Sequence, residues 1–208
     1  MTDPNNDTAD IAWLRSLAAE GAKTPPHGGS ILFASGLIWG TAALAHWSII
    51  SGLFPVDPAG FGLVWGVALL VFFAVLTVLT RRLKARGGVE TAANRAFGSV
   101  WQALGWGIFS LFTSLMLIDV GRTGQVRMAE WSLAIPSIIV AFYGMGWAVS
   151  ATMLRQRMLW ARAIGSFVAA PLLALLSGST VQYLAYAAAL YLLMALPGYL
   201  LMRAANRG

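Results

Sequence analysis

The sequence predicts an all-α integral membrane protein with six transmembrane helices. Hydrophobic residues make up 58% of the 208 and charged residues 11%, against about 25% charged in soluble domains. That much apolar surface exceeds what a water-soluble fold of this length can hide. Six segments reach the ~20 apolar residues that cross the hydrocarbon of a bilayer. The basic residues gather beside alternate ends of those segments, as the positive-inside rule requires.

The elements follow in order. Residues 1–30 form a polar arm, expected in the cytoplasm. Within it "DIAWLRSLAAEG" predicts a helix over 11–20, with Asp10 as N-cap and Gly21 as stop. Ile11, Trp13, Leu14, Leu17 and Ala18 share one face, while Arg15, Ser16 and Glu20 share the other. Such a helix lies in the membrane surface or docks on a partner protein. "KTPPHGGS" then ends it and places His27 in a solvated linker. The opening "MTDPNNDTAD" lacks the basic stretch of a signal peptide, so the first apolar segment is expected to remain as an anchor.

The predicted spans are Ile31–Leu53, Gly60–Thr80, Ala96–Ile118, Trp131–Leu154, Leu159–Leu176 and Val181–Met202. The fifth is short, holds Pro171 and begins beside Arg162, which reaches the interface by snorkelling. Residues 203–208 form a tail. Short links such as "FPVDPA" and "SGST" predict three antiparallel hairpins.

Lys and Arg number two in the arm, five over Arg81–Arg95, three over Arg155–Arg162 and two at Arg203 and Arg207. Only Arg122 and Arg127 fall on the other side. The inner membrane of a bacterium, with both termini cytoplasmic, is the expected setting. The net charge of +6 therefore reflects topology, and no nucleic acid is expected as a partner.

Small residues mark packing faces. "GLIWG" (Gly36, Gly40) and "GLVWG" (Gly62, Gly66) each set two glycines four apart on one helix face, where another backbone can come close. The matches extend to "GLIWGTAAL" and "GLVWGVALL". They are either an inverted repeat or a coincidence in a chain this rich in Ala, Leu and Gly. Antiparallel register sets Val67 level with His46, so the second pair is expected to accommodate Trp47 or His46.

His46 is the polar exception inside the first span, about 10 Å from its outer end. An ionisable group at that depth raises a functional hypothesis, and burial favours its neutral, hydrogen-bonded form. Counting inward from the outer ends places Ser110, Thr113 and Ser114, Ser137, Tyr183 and Tyr186 near the same level. Pro136 and Pro171 free backbone carbonyls there. One reading is an outward polar pocket of His46, Ser110, Ser114, Ser137, Tyr183 and Tyr186, with His46 as proton acceptor or ligand contact. The plainer one is a single interhelical hydrogen bond from His46 to a serine or tyrosine. Asp57, Asp119 and Glu130 lie at the outer ends of helices, and Arg122 and Arg127 share the loop of the last two; interface salt bridges are expected there rather than a cation site, and Gln102 and Gln182 are expected to snorkel. Pro197–Gly198 predicts a break or hinge in the last span, or equally a fraying end.

The chain has no cysteine, and HExxH, GxSxG, P-loop and Rossmann signatures are missing from it. Every carboxylate falls outside the predicted spans. No catalytic residue, metal or cofactor is therefore expected. Two functions remain. One is a non-catalytic accessory or scaffold subunit that packs through small-residue faces. The other is a small-solute permease or channel built around His46. The expected partners are the lipid bilayer and either a second copy of the chain or another membrane protein.

Overall fold

A computed structural model describes residues 28–54, 60–85, 92–124 and 129–205. The amphipathic helix expected over 11–20, His27, Asp57 and Arg127 lie outside the described residues. The helices are α1 (Gly29–Ile50), α2 (Gly60–Ala85), α3 (Ala92–Thr123), the short α4 (Ala129–Ser132), α5 (Ile135–Leu154) and α6 (Arg157–Leu175). The last crossing is composite. It runs through α7 (Gln182–Leu190), a π-helical turn (Tyr191–Ala195) and α8 (Leu196–Ala205). Among the described residues six helices are long and apolar enough to cross a membrane, so the chain is a multi-pass integral membrane protein.

The helix ends depart from the apolar limits for a reason. Hydropathy marks where a helix leaves oil, not where its hydrogen bonds stop. Arginine, lysine and alanine are good helix formers, so α2 continues through Arg81, Arg82 and Lys84, and α3 begins already at Ala92. At the start of the fourth crossing the reverse happens. Pro136 lacks an N–H, and the chain breaks between α4 and α5, where Pro136 occupies the first turn of the new helix.

α1 runs along the whole last crossing, and α5 and α6 form the other close pair. α2 packs mainly on α1, and α3 mainly on α5. The core collects where these layers meet. Trp147, Leu159, Ala163, Ala187 and Leu190 are fully or almost fully buried there. The turn between α5 and α6 is only two residues, and Arg155 adopts a left-handed conformation in it (φ 51°).

The first glycine pair serves close packing. A Cβ added at Gly36 would strike the backbone of Ala195, and one at Gly40 would come 2.7 Å from the Tyr191 ring. Gly198 meets the Phe33 backbone, and Gly29 comes equally close to Gly198 and Met202. Backbone-to-backbone contact of this kind is what joins helices in lipid, where burial of apolar surface gives no net drive. The second pair behaves otherwise. Nothing lies within 4 Å of a Cβ built at Gly62 or Gly66. These glycines therefore do not accommodate Trp47 or His46. The bundle side of α2 is instead the i, i+4, i+7, i+11 stripe of Phe61, Trp65, Ala68 and Phe72.

The last crossing holds no break at Pro197. A proline inside a helix leaves the carbonyl four residues earlier without its partner. Here that carbonyl is Leu193, and the chain answers with a π-helical turn over Tyr191–Ala195. The indole Nε1–H of Trp147, buried on α5, donates to the Leu193 oxygen at 2.9 Å. Trp147 thus supplies a side-chain donor at the carbonyl that Pro197 cannot serve.

Candidate functional site

His46 lies on α1 and is buried. Its ring sits between two aromatic rings. Phe61 of α2 stacks at a centroid distance of 4.4 Å and 28°, and Tyr183 of α7 at 3.7 Å and 12°. Trp65, one turn after Phe61 on the same face, donates its indole N–H to His46 Nδ1 at 3.0 Å. Trp65 in turn stacks on Trp39 at 6.1 Å. The partner of His46 is thus an indole, not the serine or tyrosine hydroxyl expected from sequence.

The chemistry follows from that bond. Nδ1 accepts a hydrogen bond, so it carries no proton. The neutral imidazole therefore bears its hydrogen on Nε2. The nitrogen able to take up a proton is occupied by Trp65, and the other nitrogen is a donor. A histidine set this way is not arranged as a proton acceptor. It joins α1, α2 and α7 through one hydrogen bond and two ring faces.

A second set of bonds lies beside it, at the broken start of the fourth crossing. Pro136 cannot serve the carbonyl of Ser132, and that oxygen accepts the Tyr183 hydroxyl at 3.1 Å. The neighbouring Leu133 carbonyl accepts Gln182 Nε2 at 2.7 Å and Ser177 Oγ at 3.3 Å. Gln182 also donates to Leu173 O at 3.2 Å. Gln182, expected to snorkel, is 1% exposed because both its amide hydrogens are needed inside. In lipid every backbone polar group must find a protein partner. The start of the last crossing supplies partners for the two carbonyls exposed by the α4–α5 break.

The six expected pocket residues divide. His46 and Tyr183 are in contact, and Tyr186 is buried edge-to-face with Tyr183 at 6.3 Å. Ser110 and Ser114 sit on an exposed face of α3, where Ser114 Oγ donates to the Ser110 carbonyl at 2.8 Å. Thr113 likewise donates within α3, to Phe109 O. Ser137 is on α5 with its Oγ buried and without a hydrogen-bond partner. Phe61, Trp65 and Gln182 were not foreseen as parts of this cluster. One signal was available, since an indole N–H placed inside the membrane needs an acceptor. Asp119 is buried and accepts Trp131 Nε1–H at 3.0 Å.

Among the described residues no group of three or more His, Asp or Glu side chains is placed to hold a metal ion. No protein-family model, curated protein or solved structure matches the chain.

The Trp65–His46 bond gives a direct expectation. Trp65→Phe keeps most of the ring packing and removes the donor. It should lower stability by about 0.6–1.7 kcal/mol, the range for polar contacts between membrane helices, read as a shift in the SDS denaturation midpoint in mixed micelles. Unchanged stability would mean that the bond does not form in lipid.

Proposed function

We propose that the chain is a non-catalytic component of a bacterial inner membrane, an accessory or scaffold subunit that assembles through the faces of α2 and α3. Its six crossings run alternately inward and outward with both termini in the cytoplasm, in keeping with the placement of Lys and Arg. One observation carries this reading. Two nearly identical glycine motifs meet opposite surroundings, Gly36 and Gly40 filled by the last crossing and Gly62 and Gly66 open. The open pair belongs to a helix in which Ala68 alone is buried. On α3 the glycines Gly98, Gly105 and Gly107 are open as well.

The permease reading has less support. It needs hydroxyls from α3 to converge on His46, yet Ser110 and Ser114 are exposed and bonded within their own helix. It also needs a histidine free to exchange protons, and Nδ1 of His46 is taken by Trp65.

The test is co-purification from native membranes in mild detergent. Wild-type protein should bring down a second copy of itself or a reproducible membrane-protein partner, and Gly62→Leu or Gly66→Leu should lose it while the chain stays folded. A monomer that recovers no partner, or one whose assembly ignores both substitutions, would count against this function.

A further inference from the structure

Eight of the described basic side chains gather at one end of the molecule. The start of α1 meets the start of α3 and the end of α8, since Gly28 faces Phe97 and Gly29 faces Gly198 and Met202. Trp39 on Phe72 brings the end of α2 toward the same end. Trp147 does so for the α5–α6 turn, through its contacts with Trp101 and Arg162. Arg81, Arg82, Lys84, Arg95, Arg155, Arg157, Arg162 and Arg203 therefore share it. The only carboxylate among the described side chains is Asp119, at the far end of α3 beside Trp131.

Arg162 stands apart within this set. It is half-buried, and its guanidinium lies 5.8 Å from the centre of the fully buried Trp147 ring. Nη1 donates to Met158 O at 3.2 Å, so the side chain turns back toward the α5–α6 turn. Among the described residues it forms no ion pair. A guanidinium carries five N–H donors in a planar fork that suits phosphate oxygens, and one bond leaves most of them unused. An arginine partly withdrawn into a membrane protein calls for an anionic partner. At this depth the group on hand is a lipid headgroup. Arg157 opens α6 and Arg155 closes α5, so two further charges flank the same short turn.

We propose that Arg162, with Arg155 and Arg157, binds the headgroup phosphate of an anionic phospholipid at the turn joining α5 and α6. Among the described side chains this end carries positive charge that no carboxylate balances, and that charge sets the preference. A phosphatidylglycerol keeps its negative charge, whereas the choline of phosphatidylcholine cancels it.

The experiment is native mass spectrometry of the delipidated full chain titrated with phosphatidylglycerol or phosphatidylcholine. Wild-type protein should retain phosphatidylglycerol at least about fivefold better, the size expected for one arginine near a membrane surface. Arg162→Gln should bring the two lipids level, and Arg162→Lys should keep most of the preference. Arg81→Gln/Arg82→Gln, at the end of α2, should leave it intact. If Arg162→Gln fails to fold, Arg155→Gln/Arg157→Gln should still reduce the preference. Equal retention of both lipids by wild-type protein overturns the proposal. So does a preference that survives Arg162→Gln or, where that variant cannot be made, Arg155→Gln/Arg157→Gln. A preference lost equally in the α2 variant overturns the location.

Discussion

Gly36→Ala is expected to destabilise the protein by about 1–3 kcal/mol, the usual result of forcing a methyl group into a filled interface. Gly62→Ala should leave stability unchanged or raise it by up to about 1 kcal/mol. The two positions share a local sequence, although Gly36 lies two turns into α1 and Gly62 in the first turn of α2; intrinsic propensity favours alanine at both, less strongly at the helix end. What sets them apart is the neighbour. At Gly36 the new carbon meets the backbone of Ala195, which cannot turn aside as a flexible side chain would. At Gly62 it enters open space. Both variants would be followed by reversible SDS denaturation in mixed micelles. Similar effects at the two glycines would mean that the α1 contact with the last crossing is not as close as described. Gly62→Ala also separates stability from assembly, because a variant as stable as wild type that has lost its partner places the partner on α2.

The same comparison shows how far the sequence could be read. The six spans were legible because crossing a bilayer is a demand on composition, and "GLIWGTAAL" and "GLVWGVALL" both meet it. Which glycine pair would be filled was not legible. That depends on where a third helix, 150 residues later, lays Tyr191 and Ala195. His46 stood out as the polar residue in an apolar span. Its partner was missed because antiparallel counting set Val67 opposite, while Trp65 and Phe61 are in contact. A shift of two residues turns a helix by about 200°, enough to exchange the lipid side for the bundle side. Counting from a helix end sets Ser110 and Ser114 at the depth expected for His46, but it supplies no direction, and both lie on an exposed face. Pro136 fared better. The sequence marks Ser132 as the carbonyl it frees, although the donor, Tyr183, comes from a helix about 50 residues away.

Trp147→Phe tests that logic at its most buried point. The substitution keeps an aromatic ring in a fully enclosed site and removes the indole donor to Leu193 O. The cost should be about 1–3 kcal/mol, the penalty for leaving a buried polar group unsatisfied. It should exceed the effect of Trp65→Phe, because the orphaned atom is a backbone carbonyl with no water to replace the indole. A second substitution identifies the cause. Pro197→Ala restores an N–H at the position from which an α-helix would serve Leu193 O, which makes the Trp147 bond redundant. Trp147→Phe should therefore cost less in the Pro197→Ala background than alone, with a coupling of at least about 0.5 kcal/mol. If the two effects simply add, the indole is acting as core volume and the carbonyl freed by Pro197 is satisfied elsewhere. If they couple as expected, the π-helical turn over Tyr191–Ala195 follows from the proline, and Trp147 is the residue that allows a proline to remain inside a membrane-spanning helix.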